Sequence, residues 1–151
     1  MGESGWINMF MGQYHQKIDE KGRLTIPAKF RSDLGEDFIV SRGLDGCLFI
    51  YPKEAWNTMI KKYETLPNIK DTRNFMRFLL SGASDEKFDK NGRININTRL
   101  LKYANLKKEC IVIGVGDRLE IWDEEEWNKF TLENEDSFSE IADKLFSEKV
   151  D

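Results

Sequence analysis

An α+β fold, made of two pseudo-symmetric copies of a β-hairpin unit with peripheral helices, is predicted by three observations. The pentapeptide Asp19-Glu20-Lys21-Gly22-Arg23 returns as Asp89-Lys90-Asn91-Gly92-Arg93. Its surroundings return in step: Ile18 with Phe88, Leu24-Thr25-Ile26 with Ile94-Asn95-Ile96, Ile39-Val40 with Ile111-Val112, Leu48 to Tyr51 with Leu119 to Trp122, and Glu54 and Trp56 with Glu125 and Trp127. The offset is 70 residues at the pentapeptide and 71 at the tryptophans, a slip that one loop absorbs. Glycine turns also separate short apolar runs, each followed by a stretch of helical periodicity. Finally, 151 residues hold one ordinary core, and a unit of roughly 45 residues is too small to stand alone, so the halves must share one.

The elements follow in order. Residues 11–19 read as a strand, Lys21-Gly22 as a turn tip and 23–26 as the returning strand, because a tight turn needs the positive φ that glycine adopts without steric cost. Pro27 suits the first turn of a short helix that stops at Gly35. A second hairpin, 37–42 and 47–51, turns through Gly43-Leu44-Asp45-Gly46, and Pro52 opens a helix with Ala55, Trp56, Met59, Ile60 and Tyr63 at helical spacing. Residues 65–74 join the repeats, with Asp71 or Thr72 as the expected cap of a helix ending at Gly82. That helix carries Phe75, Met76, Phe78, Leu79 and Leu80, apolar around most of its circumference, and is expected to pack between the halves or against another protomer.

The second unit repeats the plan: a strand to Asp89, a turn at Asn91-Gly92, a strand over 93–96, a short helix capped by Asn97 or Thr98, and strands over 110–115 and 118–122. Asp123 with Glu126 spells a capping box. Phe138, Ile141, Ala142, Leu145 and Phe146 make a final amphipathic helix. The implied organisation is an N-terminal extension (1–8), repeat 1 (9–56), connecting helices (57–82), repeat 2 (83–128) and an acidic C-terminal helix and tail (129–151).

The formal charge of −4 is unevenly distributed. Residues 123–151 carry eleven acidic and three basic side chains, a net of −8, which leaves +4 on the remainder. Residues 13–31 hold Lys17, Lys21, Arg23, Lys29 and Arg31 against Asp19 and Glu20, a net of +3. A phosphate responds to the local field, which decays over about 8–10 Å in physiological salt, so the global balance does not exclude nucleic acid. Hydrophobic residues at 40% and charged residues at 33% are the balance of a soluble globular protein. No apolar run approaches the roughly 20 residues of a membrane span, and no signal-peptide pattern opens the chain, so a cytoplasmic location is expected.

Cys47 and Cys110 sit in apolar runs at non-equivalent places in the two repeats and read as small buried hydrophobes. With one histidine and two separated cysteines no metal set is expected, and no cofactor fingerprint or nucleophile–base pair is present, so no catalytic residue is assigned. Gly114-Val115-Gly116-Asp117 reads as a hairpin turn and not a phosphate loop, since another strand follows it. The acids of 123–126 suit a helix N-terminus, whose dipole favours negative charge. Arg73 and Arg77, four apart, are expected in inter-repeat or inter-protomer ion pairs.

The duplicated turn is the strongest functional signal. An arginine one residue past a tight turn is presented outward, and its planar, fork-shaped guanidinium grips a phosphate or the O6/N7 edge of guanine with two hydrogen bonds. Arg23 and Arg93 are therefore the lead DNA-contact candidates, with Lys21 and Lys90 at the same tips and Lys17 and His15 on the preceding strand. Asp19, Gly22, Asp89 and Gly92 are read as turn-forming. The competing reading is that Asp19 and Arg23 pair across the turn and only stabilise it.

Met9 to His15 followed by Ile18-Asp-Glu-Lys-Gly-Arg-Leu-Thr-Ile-Pro-Ala-Lys-Phe-Arg31 closely resembles the N-terminus of the MraZ family, bacterial transcriptional regulators related to the AbrB and MazE domains. Arg73 to Ala83, Asp89 to Arg93 and Glu120-Ile-Trp-Asp123 resemble its later signatures, so the likeness covers Met9 to about Phe130. The resemblance implies a double-split β-barrel of two AbrB-like repeats and a homo-oligomeric ring. It also implies binding of double-stranded DNA at short tandem promoter repeats upstream of the division and cell-wall gene cluster, on the nucleoid, with no small-molecule substrate and no membrane. It makes Arg23 the main DNA contact and Arg93 its counterpart, although Asn97 replaces Pro27 in the second copy and Asp85-Glu86-Lys87 flank it. A different class, an antitoxin-like or scaffold module whose acidic C-terminal helix engages a protein, competes with this reading. The tail from Glu133 onward is expected to compete with DNA or to pack its apolar stripe on a neighbouring protomer.

Overall fold

The computed structural model describes residues 9–147; the N-terminal extension 1–8 and residues 148–151 lie outside it. In chain order the elements are β1 (Phe10–Lys17), β2 (Arg23–Thr25), α1 (Ala28–Leu34), β3 (Phe38–Arg42), β4 (Leu48–Pro52), α2 (Lys53–Tyr63) and α3 (Lys70–Ser81). The second half follows as β5 (Ser84–Glu86), β6 (Arg93–Asn95), α4 (Thr98–Tyr103), β7 (Glu109–Gly116), β8 (Arg118–Asp123) and α5 (Glu124–Asn134). A 3-10 turn (Glu135–Ser137) leads to the last helix, α6 (Phe138–Ser147).

The repeats are interleaved. One antiparallel sheet runs β1-β7-β8-β4-β3-β5, so the first strand of each repeat lies beside the third strand of the other. β2 and β6 form a separate two-stranded ribbon. A pseudo-dyad passes through both ladders, because Leu24 pairs with its own counterpart Ile94, and Phe49 with its counterpart Glu120. The sheet does not close on itself: β1 and β5 are its two edges.

This corrects the first expected hairpin. The turn after Ile18 forms, but β1 and β2 share only the Ile18–Leu24 bridge before separating, β1 to β7 and β2 to β6. The hairpins β3–β4 and β7–β8 form as expected, the latter turning at Gly116 with φ +75°. A three-residue strand cannot carry a stable hairpin alone, and crossing to the other repeat gives each short strand a buried partner.

Period-2 alternation sorts the strands onto two cores. Phe38, Val40, Leu48, Ile50, Cys110, Val112, Leu119 and Ile121 face the ribbon with α1 and α4, joining Leu24, Ile26, Phe30, Leu34, Ile94, Ile96 and Leu100. Ile39, Phe49, Tyr51, Ile111 and Trp122 face the other way, against Trp56 and Met59 of α2, Phe75 and Leu79 of α3, and Trp127 of α5. Leu24 at 0% and Ile94 at 1% exposure seal the ribbon onto the sheet, each contributing about 1.5–3 kcal/mol. Cys47 and Cys110 are free and fully buried, and burial pushes the Cys110 thiol up to about 12.

Helix ends agree with the sequence where a side chain reaches a free amide. Asn97 accepts from Leu100 N at 2.9 Å, and Asp123 accepts from Glu126 N at 3.2 Å. Neither Asp71 nor Thr72 caps α3; the N-cap is Ile69, which leaves both side chains inside the first turn. Only Leu79 of α3 is buried, while Phe78 (64%) and Leu80 (45%) stand exposed, so α3 packs by one side onto the second core and does not lie between the halves. Arg42 ties α3 to the sheet: it donates to Phe78 O at 2.6 Å and lies over the rings of Phe78 and Tyr103. Arg73 and Arg77 donate to Asn68 and Asn74 and make no ion pair among the described residues. No helix among those residues is long and apolar enough to cross a membrane.

Candidate nucleic-acid interface

Each duplicated turn is built by its own aspartate. Asp19 Oδ1 accepts the backbone N–H of Lys21 and of Arg23, both at 2.9 Å, and Oδ2 accepts Arg23 Nε at 2.7 Å. Asp89 repeats the set with Asn91 N (2.8 Å), Arg93 N (3.0 Å) and Arg93 Nε (2.8 Å). Gly22 and Gly92 donate back to the aspartate carbonyls, with φ of +80° and +75°. Bonds to the charged carboxylate favour its ionised form. The Arg23 backbone N–H, followed by its guanidinium and the Lys21 N–H, outweighs partial desolvation and holds Asp19 below the ordinary carboxylate range. Arg93 and Asn91 do the same for Asp89.

The aspartate therefore orients the arginine as well as pairing with it. Tying Nε fixes the guanidinium plane and leaves the terminal Nη edge for a second planar acceptor. Among the described residues Arg23 has no other side-chain partner, and Arg93 Nη1 meets only Asp19 Oδ2, at 3.9 Å. That contact brings both arginines to one carboxylate. They come from residues 70 apart in sequence and are united because β2 pairs with β6, setting Arg23 opposite Asn95 and Arg93 opposite Thr25. Lys21 and Lys90 are exposed at the two tips and make no ion pair among the described residues.

Two sequence candidates fall elsewhere. His15 lies on β1 with Nε2 2.7 Å from Glu109 and 3.3 Å from Glu124, held by carboxylates and apart from the arginine pair. Lys17 is exposed on the same strand, opposite Glu109 in register. The acids flanking the second turn are occupied at the sheet edge: Asp85 pairs with Lys53 at 3.4 Å, Glu86 accepts from Ser84, and Lys87 pairs with Asp37 at 2.5 Å.

The turns also lock each other. Ile96 N donates to Gly22 O at 2.8 Å and Ile26 N to Gly92 O at 3.1 Å, so each glycine carbonyl holds the end of the opposite repeat's ribbon strand. What packs beneath them differs. A Cβ on Gly22 would lie 2.8 Å from Ile96 O and 3.5 Å from a Leu101 methyl; one on Gly92 would lie 2.7 Å from Arg31 Nη1. Arg31 and Leu101 are counterparts at the 70-residue offset, so one cation joins the second turn alone. Arg31 lies outside the pentapeptide; the sequence marks it only as one of the basic residues of 13–31, and that it stands opposite a leucine in the other copy does not say which turn it joins.

Charge is segregated by the sheet. The acidic helix α5 packs through Trp127 on the face opposite the ribbon. A sheet and its packed layers span about 10 Å each, more than a Debye length in physiological salt, so those acids are screened from the turns. No grouping of three or more histidine, cysteine or acidic side chains able to hold a metal occurs among the described residues.

The chain matches one family twice in tandem, over residues 9–78 and 79–149; the family's description reads "MraZ protein, putative antitoxin-like". With nearly the whole chain covered, it belongs to the MraZ family, and the two matches are the two repeats.

Proposed function

We propose that this MraZ-family chain is a sequence-specific DNA-binding transcriptional regulator, acting as a repressor of the division and cell-wall gene cluster, its own promoter included. In this reading the interleaved core is the double-split barrel form of the AbrB-like fold, and several protomers close into a ring that reads short tandem repeats on the nucleoid. The observation that carries it is the arginine pair: two guanidinium groups, each tied at Nε by its turn aspartate, converge on Asp19, with Arg93 Nη1 3.9 Å from its Oδ2 and no other side-chain partner for either among the described residues. A protein that merely braced its turns would need one such bond per turn and no juxtaposition. Arg23 and Arg93 are assigned to base edges or phosphates, and Lys21, Lys90 and Lys17 to the surrounding phosphates. His15, with its two carboxylate partners, is assigned a lesser part.

One protomer offers few phosphate contacts, and each contributes a salt-sensitive increment with a slope of about 0.9. Joining protomers makes later contacts intramolecular and raises apparent affinity by about 10²–10⁴. Exposed Phe78 and Leu80 on α3, and Phe138, Ile141, Leu145 and Phe146 on α6, supply apolar surface for such self-association. The acidic tail from Glu133 is assigned to this contact or to competition with DNA; cutting the chain before Glu133 should change ring size or affinity.

The test is a gel-shift titration with duplex DNA from upstream of the chain's own gene at two salt concentrations. Binding should weaken with salt, and Arg23→Ala should lose it while the oligomer persists. The second reading, an antitoxin-like or scaffold module, is favoured by the family's description and by the exposed apolar face of α6. It predicts that Arg23→Ala changes nothing and that removing α6 abolishes partner binding.

A further inference from the structure

We infer that the second turn carries an anion seat that the first lacks, built around Arg31 and fitted to a nucleic-acid phosphate; this rests on the DNA-binding reading above. An open cleft of about 770 Å³ runs beside turn 2, lined among others by Arg31, Ser32, Lys90, Asn91 and Gly92. Its remaining charges are largely committed: Asp89 to Arg93, and Lys87 to Asp37. That leaves Arg31, Lys90 and Glu36 as the lining charges without an ion pair among the described residues, a net positive set.

Arg31 is positioned by α1 and by one bond, Nη1 to Ile26 O at 2.5 Å, and makes no ion pair among the described residues. A guanidinium carries five N–H donors in a fork, so a single carbonyl leaves most of them available to two oxygens of a phosphate. Its position is tied to the turn, since Nη1 lies 2.7 Å from where a Gly92 side chain would begin. The first turn is the internal control: beneath it the matching place in the second repeat holds Leu101, whose methyl packs under Gly22 with no donor to offer. Lys90 is exposed at the tip of the second turn, where the first turn has Glu20 at the matching position. The second turn therefore grips a phosphate through its own Lys90 and through Arg31 of the opposite repeat, and the first turn contacts DNA chiefly through Arg23.

The experiment is fluorescence anisotropy of full-length protein on duplex DNA from upstream of its gene, with salt varied between about 50 and 200 mM. Arg31→Leu should weaken binding and flatten the plot of log affinity against log salt by about 0.9 for each engaged phosphate lost. Arg31→Lys should restore the slope, and Leu101→Arg should steepen it by a similar amount. If Arg23→Ala abolishes binding while Arg31→Leu and Leu101→Arg leave the slope unchanged, Arg31 only braces the turn and the anion seat is wrong. Should Arg23→Ala itself leave binding intact, it is the DNA-binding reading that fails. An Arg31→Leu protein that does not fold leaves the Leu101→Arg slope to decide, and no steepening there overturns the inference.

Discussion

The two Asp-x-x-Gly-Arg turns have matching hydrogen-bond sets, their lengths agreeing to within 0.1 Å, and yet they stand on different floors, a leucine beneath one and an arginine beneath the other. The turn itself is a local object, set by an aspartate that reaches amides two and four residues ahead and by a glycine in the left-handed region. Its surroundings come from the other repeat, so duplication preserved the turn while its partners diverged. The difference teaches that a repeated motif need not be a repeated site: turn 1 is sealed on an apolar base, and turn 2 borders an open basic cleft.

The sharpest way to test the comparison is to remove the arginines separately and together. Arg23→Ala should abolish promoter binding, while Arg93→Ala should cost about 1–3 kcal/mol per lost bidentate contact, on the order of 10- to 100-fold in DNA affinity, measured by anisotropy. The double variant should bind only nonspecifically, because both forks that meet at Asp19 are gone. A variant of Arg93 that binds like the unaltered protein would show that the second turn contributes through Arg31 and Lys90 alone.

Next in size is the response of the glycines. Gly22→Ala should lower unfolding free energy by about 2–4 kcal/mol, since the left-handed φ costs about 1–2 kcal/mol and the new methyl meets the rigid Ile96 carbonyl. Gly92→Ala carries the same φ penalty, but its methyl meets the Arg31 side chain, which can swing away, so about 1–2 kcal/mol is expected. Urea unfolding of the two variants should therefore rank Gly22→Ala as the less stable. Equal losses would mean that Arg31 is held as firmly as backbone. In the salt-varied anisotropy titration, Gly92→Ala should also flatten the salt dependence of DNA binding, because Arg31 must move.

The smallest effect is acid dependence. Asp19 and Asp89 both have folded pKa values below the reference 3.8, so their stabilisation is present above that value and is lost as pH falls through the lower, folded value. Asp19→Asn and Asp89→Asn should each reduce thermal stability at neutral pH, with the gap to the unaltered protein closing below about pH 4. Because Asp19 also faces Arg93, its variant should show the larger gap. A gap that stays constant into acid would mean the charge on the carboxylate is irrelevant to the turn.

Much of this molecule is legible in its sequence. The repeat, the turn residues, the short helix stopping at Gly35, both later hairpins and the Asn97 and Asp123 caps each depend on contacts within a few residues, and such contacts are written locally. Side-chain chemistry alone points to Asp71 or Thr72 as the cap of α3, yet the helix begins at Lys70 with neither used. His15 joins the arginines in sequence by its place on the strand before the turn, whereas its carboxylate partners come from β7 and α5, 94 and 109 residues away.

What the sequence by itself determined is the unit: which residues turn, which alternate between two apolar faces, and where the copies correspond. Only the tertiary structure decided how the units interlock. Period-2 alternation says which side of a strand is buried but not which strand lies beside it, and the exchange of β1 and β5 between repeats is chosen by the gain in shared core. The accompanying pairing of β2 with β6 sets Arg23 beside Arg93 and slides Arg31 under the opposite turn, because residues more than 60 positions apart meet only when burial of the ribbon on the sheet brings them there.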